Sequence, residues 1–300
     1  MSLLMLRLLV LPVVMSSGEI TRLRYQYDET LLQLPADAPE MLNGHGLAKD
    51  VDGNVYFTYE LASDAAKGAA QCLVRFSPSD GYAIGVMEGD GALSEGTPHG
   101  LRIDYGGGVS AAQLYHANNN QAIRKTDLNG SVLWTGGLTP PNNASEYWPY
   151  MPTDAVVAPP GGEKLFVADG YGSSYVHVMD AATGEWLDPD ASFGGGGGAA
   201  HGELHTPHGI NWDGRAGRER LVISDRSNGR IEYYNLDGTY NATAADNSTI
   251  VDLSQPCNVD LDLERGLALV PDVSWPGGTS EGSCLLAYSL THVISYFRSN

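Results

Sequence analysis

A short sequence signal recurs in this chain at nearly constant spacing. The tripeptide His-Gly-Leu occurs at residues 45–47 and 99–101, and His-Gly-Ile occurs at 208–210. Thr153-Asp154-Ala155 stands between the second and third of these, and Pro256-Cys257-Asn258-Val259 forms a fifth copy. The successive steps are 54, 55, 54 and 50 residues. A period of this length is typical of proteins built by repetition of one supersecondary unit.

Each copy opens a unit of four short apolar runs separated by Gly, Pro and Asp turns. Such a unit predicts four antiparallel strands, and four-stranded units repeated around a centre are the blades of a β-propeller. The first two strands of a blade form its inner half, and the last two form its outer half. Six outer halves are recognisable in the sequence, but only five inner halves. The outer halves lie at 20–34, 73–86, 123–134, 176–187, 231–240 and 285–297.

The sixth inner pair would fall at about residue 308 by the same period, so the sequence predicts an all-β, six-bladed propeller with one blade incomplete. In this interpretation residues 20–34 form the outer half of the incomplete blade, which leaves an exposed sheet edge. The alternative is five complete blades preceded by an N-terminal hairpin. Because the first strand of each blade lines the central channel, the recurring residues are expected to meet at one axis. They are His45, His99, Asp154, His208 and Asn258.

Composition narrows the classes of partner and the compartment. With 36 acidic and 17 basic residues, the net charge of −19 argues against a nucleic acid, whose phosphates would be repelled. Residues 1–17 are almost entirely apolar and end in small residues, which predicts a secretory signal peptide or an uncleaved anchor. Residues 18–300 then form one propeller domain. We therefore expect a secreted glycoprotein, with N-x-S/T sequons at Asn129, Asn143, Asn241 and Asn247.

Two stretches are more specific than the repeat itself. They are Phe166-Val167-Ala168-Asp169-Gly170-Tyr171, and Pro207-His208-Gly209-Ile210 followed by Ile223-Ser224-Asp225-Arg226. Together with Pro98-His99-Gly100-Leu101 they resemble NHL-repeat propellers, most of all the peptidyl-α-hydroxyglycine α-amidating lyase family, over residues 40–270. That resemblance implies a six-bladed ring whose channel holds zinc on three histidines, with calcium nearby. It implies that His99 and His208 are zinc ligands, that Tyr171 is the catalytic tyrosine and that Arg226 binds substrate.

The sequence also departs from the family pattern. The third zinc histidine of the family belongs to the sixth blade, and the arginine of its first blade has no counterpart in Phe57-Thr58-Tyr59-Glu60. The family's cysteines are replaced in step, by Gly172, Val222 and Tyr233, and the three cysteines that this chain has cannot all pair with one another. These departures place catalysis, rather than the fold, in question.

Each candidate residue has a functional and a structural interpretation. His45, His99 and His208 supply three imidazoles, the number of protein ligands that a catalytic zinc site typically uses, or they hydrogen-bond across the channel. Tyr171 would need a nearby cation to lower its pKa, or it belongs to an ordinary turn. Arg226 offers a fork for a substrate carboxylate, or it forms a salt bridge to Asp225, Asp169 or another acid of the channel.

Three functions follow from these patterns. The first is a zinc-dependent lyase that cleaves a peptidyl-α-hydroxyglycine-type substrate to an amide and glyoxylate. The second is a non-catalytic propeller that binds an extracellular protein or glycan. The third is a lactonase-type hydrolase with one calcium ion, for which Asp154 is the one visible channel acid among the recurring first-strand residues.

Overall fold

The computed structural model describes residues 30–273 except for 107, 109–110, 139–149, 188–190, 244–249, 251–252 and 263–266, together with the strand backbone at 9–10, 25–26 and 283–289. Within these residues the protein is all-β, and the predicted propeller arrangement is confirmed. A two-stranded sheet comes first, formed by β1 (Leu9–Val10) and β2 (Tyr25–Gln26). No helix in the described part is long and apolar enough to cross a bilayer.

The propeller itself consists of consecutive antiparallel meanders, which we number as blades. Blade 1 contains β3 (Met41–Lys49), β4 (Val55–Leu61), β5 (Leu73–Phe76) and β6 (Val86–Glu88). Blade 2 contains β7 (Pro98–Asp104), β8 (Gln113–Asn118), β9 (Ala122–Thr126) and β10 (Val132–Gly136). Blade 3 contains β11 (Asp154–Val157), β12 (Lys164–Ala168), β13 (Tyr175–Asp180) and β14 (Phe193–Gly194). Blade 4 contains β15 (Pro207–Asp213), β16 (Arg220–Asp225) and β17 (Arg230–Tyr234). A fifth sheet contains β18 (Asp260–Asp262), β19 (Leu267–Val273) and β20 (Ser283–Ser289).

The hydrophobic core lies between the faces of neighbouring blades. Leu101 of β7 packs with the apolar side chains of blade 1, and Ile210 of β15 packs with those of blade 3. Their relative exposures are 2% and 0%. Val259, just before β18, packs in the same way with blade 4. One apolar residue near the start of each inner strand therefore joins its blade to the preceding one, which is why the sequence signal recurs with an apolar third residue.

Glycine follows each histidine of the signal because the inner strands of adjacent blades nearly touch. A Cβ atom on Gly46 would lie 2.7 Å from the His99 oxygen, and one on Gly100 would lie 2.6 Å from the Thr153 oxygen. A Cβ atom on Gly209 would lie 2.7 Å from the Cα atom of Asn258. Real Cβ atoms do not approach other atoms this closely, so only glycine permits this spacing.

The strand register corrects one part of the predicted alignment. Asp154 pairs with Ala168, as Gly209 pairs with Ser224 at the corresponding point of blade 4. Asp154 and Asn258 therefore occupy the glycine position of the repeat rather than the histidine position. The residues that correspond to His99 and His208 are Thr153 and Cys257. The error of one residue arose because sequence spacing alone cannot detect a strand irregularity.

That irregularity is a β-bulge at each histidine. The pairing of β3 with β4 shifts between Gly44 and Leu47, around His45. The shift in blade 2 lies between Pro98 and Leu101, around His99, and that in blade 4 lies between Pro207 and Gly209, at His208. Bulges redirect a side chain out of the regular alternation of a strand. Here they occur at the inner-strand ends that carry the imidazoles.

The predicted sixth blade is not shown. Four blades and the fifth sheet are what the described residues contain, and they end at blade 1 on an uncovered face. Leu47 stands where Leu101 and Ile210 stand in their blades, yet its side chain is 54% exposed. The N-terminal segment also differs from the prediction. Tyr25–Gln26 pairs with β1, and the Leu32 N–H donates to the Tyr82 oxygen at the outer edge of blade 1.

The predictions about secretion concern residues that the structure describes only in part. The two sequon asparagines in its described ranges are Asn129, which is exposed in a turn, and Asn241, which is partly exposed. Asn143, Asn247 and most of residues 1–17 lie outside those ranges. Cys72 and Cys257 are free thiols, and Cys72 is buried.

Candidate functional site

Three histidines from three blades meet at the central channel. The ring centroids of His45 and His99 are 4.6 Å apart, and those of His99 and His208 are 4.8 Å apart. All three line one cavity of about 960 Å³ that follows the channel. The five predicted site residues are therefore neighbours, since Tyr171 and Arg226 line the same cavity.

Backbone carbonyls fix the orientation of two of the imidazoles. His99 Nδ1 lies 2.7 Å from the Thr153 oxygen, and His208 Nδ1 lies 2.6 Å from the Cys257 oxygen. A carbonyl only accepts, so each Nδ1 carries the proton and donates it. The Nε2 lone pair of each ring is thereby left for another partner. Each carbonyl belongs to the residue that occupies the histidine position in the next blade, so the repeat itself orients the rings.

Burial keeps these imidazoles neutral. It lowers the pKa of His99 well below 6.5, and the neighbouring His208 and His45 rings add to this effect. Burial also lowers the pKa of His208 to about 4, with a further contribution from Arg226. The pKa of His45 is lowered by burial as well, although Glu60 opposes the shift.

The donor chemistry of this cluster suits zinc, which binds neutral imidazole nitrogens. His45 Nε2 is buried without a hydrogen-bond partner, which is costly unless something else binds there. Within the described ranges, however, no three His, Cys, Asp or Glu side chains are already arranged to hold a metal ion. His208 Nε2 is instead 2.7 Å from the Tyr171 hydroxyl. A metal at His208 would have to replace that hydrogen bond.

Tyr171 links His208 to Arg226. Its hydroxyl donates to His208 Nε2, whose neighbour Nδ1 carries the ring proton, and it accepts from Arg226 Nη1 at 3.0 Å. A catalytic role for Tyr171 was predicted to need a nearby cation that lowers its pKa. In this structure burial raises that pKa, and the opposing effect of Arg226 is smaller. Tyr171 is thus a hydrogen-bonded phenol here rather than a phenolate.

Arg226 does not form the salt bridge that was its alternative role. Asp225 pairs with Arg230, at 2.8 Å between Oδ2 and Nε. The second contact of Arg226 is from Nη2 to Gln255 Oε1 at 3.3 Å. Among the described residues no carboxylate pairs with this guanidinium, so its charge is not neutralised by an ion pair there. It is partly exposed and borders the channel, as a group that binds an anion would be.

Turns after the second strand of each blade position Tyr171 and Arg226. Asp169 Oδ2 accepts from the Ser173 N–H at 2.7 Å, and its Oδ1 accepts from the Met151 N–H at 2.6 Å. These bonds tie the loop that carries Tyr171 to the segment that enters β11. Arg226 begins a 3-10 turn that ends at Gly229, which has a φ of 63°. Asp225 holds this turn by accepting from Asn228 Nδ2 at 2.8 Å.

A buried ion pair crosses the channel three residues further along β7. Arg102 donates to Asp154 Oδ2 through Nη2 at 2.6 Å and through Nε at 3.1 Å. The same Nη2 donates to Asn258 Oδ1 at 2.7 Å, and Asp154 also accepts from the Ile210 N–H at 3.1 Å. These hydrogen bonds join blade 2 to blades 3 and 4 and to the segment before β18. Asp154 is therefore engaged with Arg102, which leaves little support for the calcium-dependent hydrolase.

Two residues near the histidines had no predicted role: Cys257, which lines the channel, and Gln255, which contacts Arg226. Cys257 lines the same cavity as the histidines and stands at their repeat position. The position of Cys257 could have been predicted from the sequence, because a proline precedes it as Pro98 precedes His99 and Pro207 precedes His208. Glu60 similarly occupies the position of Arg226 in blade 1, and its carboxylate accepts from Lys67 Nζ and Thr97 Oγ1, each at 3.1 Å.

No family model matches the sequence. Among solved structures, the chain is similar to hydrazine synthase of Kuenenia stuttgartiensis, with a TM-score of 0.54 and 12% identity over 88% of this chain and 66% of that one. It is similar to an auxiliary nutrient binding protein of Bacteroides thetaiotaomicron, with a TM-score of 0.51 and 13% identity over 76% of this chain and 56% of that one. A nidogen/laminin complex gives a TM-score of 0.48 and 17% identity over 76% and 75%. At these identities the likeness concerns the propeller fold alone.

Proposed function

We propose that this protein is a secreted, zinc-dependent lyase-like propeller that cleaves a peptidyl-α-hydroxyglycine to a peptide amide and glyoxylate. The observation that carries the proposal is the meeting of His45, His99 and His208 beside the Tyr171–Arg226 pair. These groups come from three blades and from two loops, and together they provide nitrogen ligands, a proton-carrying hydroxyl and a cation. The proposal retains a six-bladed ring, which the exposed Leu47 face supports.

Each residue has a stated task in this proposal. His45, His99 and His208 would hold the metal through neutral nitrogens, and zinc, when bound, supplies polarisation of an oxygen atom. Arg226 binds the substrate carboxylate and thereby fixes the hydroxyl-bearing carbon next to Tyr171. The Tyr171 oxygen exchanges a proton with the substrate, within hydrogen-bond reach of His208.

The reaction balances without an external reagent. The hydroxyl of the substrate loses its proton as its carbon–oxygen bond becomes a carbonyl, and the carbon–nitrogen bond breaks with its electron pair on nitrogen. The nitrogen then takes a proton, so that R–CO–NH–CH(OH)–COO⁻ becomes R–CO–NH₂ and OHC–COO⁻. The chain need only move one proton from oxygen to nitrogen, which a hydrogen-bonded phenol can mediate.

The competing function is a non-catalytic binding propeller, and Glu60 is the observation that favours it. The family pattern has an arginine in blade 1, whereas Glu60 presents a carboxylate there and is held by Lys67 and Thr97. Glu60 therefore adds a carboxylate, rather than a second arginine, near the histidines. Such a site binds a carboxylate less tightly. The lyase needs tight carboxylate binding, whereas a protein- or glycan-binding module does not.

Metal analysis tests the proposal most directly. We expect about one zinc per chain in the purified protein, loss of that zinc in His99→Ala and His208→Ala, and retention of it in His201→Ala. His201 is the matched control because it is an exposed histidine that contacts Glu232 and Tyr240 instead of the channel. A wild-type protein without zinc would rule out the lyase.

Product analysis tests the chemical step. We expect glyoxylate release from an N-acyl-α-hydroxyglycine by the zinc-containing protein, and a decrease of about 100-fold or more in kcat for Tyr171→Phe. Arg226→Gln should mainly raise KM, because it removes carboxylate binding. Zinc without any glyoxylate release would leave a structural metal in a binding module.

A further inference from the structure

A second cavity adjoins the candidate site on the side of blades 3 and 4. It has a volume of about 430 Å³ and lies between the loop at 170–175, the glycine run at 196–197 and the segment that enters β15. We call it the side cleft. Its lining residues are Gly170, Tyr171, Gly172, Ser173, Ser174, Tyr175, Gly196, Gly197, His205 and Thr206.

Tyr171 is the wall that the side cleft shares with the channel. The residue lines both cavities, and its side chain is 38% exposed. Its hydroxyl points to His208 and Arg226. A molecule whose carboxylate contacts Arg226 therefore has the side cleft within reach of its next chemical group.

The side cleft is lined mainly by aromatic rings, glycine backbone and short hydroxyl side chains. Tyr175 and His205 border it, and neither side chain has a hydrogen-bond partner among the described residues. The serine and threonine hydroxyls that line it each make at least one hydrogen bond. Ser173 Oγ donates to Asp169 at 2.6 Å, Ser174 Oγ accepts from the Thr206 N–H at 3.2 Å, and Thr206 Oγ1 accepts from Ser227 at 2.9 Å.

Glycine keeps the cleft open on its far side. Gly196 and Gly197 have φ values of 78° and 70°, a region that side chains rarely adopt. An ideal Cβ on Gly196 meets nothing within 4 Å, so that this wall faces open space. None of the lining residues is Asp, Glu, Lys or Arg. A flat, uncharged group that stacks on rings and on peptide planes suits these walls.

We infer that the side cleft binds the acyl side of the substrate, with a preference for an aromatic or large apolar group next to the hydroxyglycine. This inference rests on the proposed function for the location of the carboxylate at Arg226. It adds a substrate class: acylated glycines with a bulky, uncharged acyl group, such as peptides with an aromatic residue before the terminal glycine.

Unreactive acylglycines test the inference without any turnover. N-benzoylglycine and N-acetylglycine share the carboxylate and the amide but lack the hydroxyl, and their affinities can be compared by calorimetry on the protein as purified. We expect N-benzoylglycine to bind about tenfold more tightly, because its ring is removed from water. Both compounds should bind more weakly to Arg226→Gln.

Two variants locate the preference in the side cleft. His205→Ala should reduce the benzoyl preference to about threefold or less, and His205→Trp, which fills the cleft, should abolish it while N-acetylglycine still binds. His201→Ala, an exposed histidine outside the cleft, should retain the full preference. Equal affinities of the two acylglycines for the wild type, or a preference unaffected by His205→Trp, would overturn the inference.

The outcomes separate this inference from the proposed function. Preferential binding of N-benzoylglycine without glyoxylate release from any hydroxyglycine leaves the side cleft as a binding site and removes the lyase. Glyoxylate release at equal efficiency from acetyl and benzoyl substrates retains the lyase and removes the role of the side cleft. Failure of both acylglycines to bind contradicts the side-cleft inference.

Discussion

Histidine serves two purposes in this protein, and the difference lies in what surrounds each ring. The rings of His45, His99 and His208 meet in the channel, whereas His116 is buried within blade 2 at 5% exposure. His116 Nε2 lies 3.0 Å from Thr126 Oγ1. Burial, assisted by Arg124, lowers the pKa of His116 to about 3. The ring is therefore a neutral core residue.

The titration of His116 predicts acid sensitivity. Between pH 6.5 and about 3 the unfolded chain binds a proton at His116 and the folded chain does not, so stability rises with pH across this window and is lost as the pH falls. The effect is on the order of 5 kcal/mol. His116→Gln, which keeps a hydrogen-bonding group but does not titrate, should flatten the dependence of the urea midpoint on pH between 6.5 and 4. An unchanged slope would contradict this assignment.

Repeat spacing placed the three histidines on inner strands, whereas Tyr171 and Arg226 were expected at the site from the family resemblance alone. His45, His99, His208, Tyr171 and Arg226 were all expected at the site, and the structure brings them together. Cys257 was not expected there, because the repeat was aligned on Asn258 rather than on the preceding Pro256-Cys257 pair. Whether the pKa of Tyr171 is lowered could not be predicted, because the balance between burial and a cation depends on distances that a sequence does not contain.

At the level of strands, the Arg102–Asp154 pair holds the inner strands in place. Asp154 is 2% exposed, and it accepts from both Arg102 and the Ile210 N–H. Burial raises the pKa of Asp154, and Arg102 opposes that shift. A buried ion pair contributes little net stability, but the loss of one partner leaves an uncompensated charge.

Single and double variants of this pair should therefore behave differently. Arg102→Met should lower the free energy of unfolding by about 3–5 kcal/mol, because the Asp154 carboxylate stays buried. Arg102→Met combined with Asp154→Leu should recover at least half of that loss. Chemical denaturation of the three proteins measures both values. If the double variant is as unstable as the sum of the single variants, the two side chains do not act as a pair.

Strand order and turns were predictable, whereas the register was not. The outer halves predicted at 73–86 and 123–134 overlap β5 with β6 and β9 with β10. The bulges at His45, His99 and His208 shift the pairing by one residue. Bulges depend on contacts between blades, such as the approach of Gly100 to Thr153, and single-strand patterns do not contain this information.

At the level of the whole molecule, blade 1 presents a face that the other described residues leave exposed. Leu47 and Leu42 are 54% and 50% exposed, while Ile210, which corresponds to Leu47, is 0% exposed. The six-fold arrangement was predicted from counting outer halves, and the described residues show four blades and a fifth sheet. Counting could not establish the sixth blade, because the 20–34 run that was assigned to it is in part attached to blade 1.

Truncation of Leu47, compared with truncation of the buried Ile210, tests whether this face is exposed to solvent in solution. Leu47→Ala should change the free energy of unfolding by no more than about 0.5 kcal/mol, as expected for an exposed residue. Ile210→Ala should cost about 2–5 kcal/mol, because it leaves a cavity between blades 3 and 4. A cost of similar size at Leu47 would mean that another part of the chain or a second molecule covers the face.

The hydrogen bond between Arg102 and Asn258 has a kinetic consequence. It joins residues 156 positions apart in sequence, whereas the hairpins of each blade join residues that are close along the chain. Contacts between distant residues require long loops to close, so they tend to form after local ones during refolding. An interaction that forms after the rate-limiting barrier hardly affects the speed of folding, but its loss accelerates unfolding. Removal of the Asn258 side-chain amide should therefore shorten the lifetime of the native state while refolding proceeds at its normal rate.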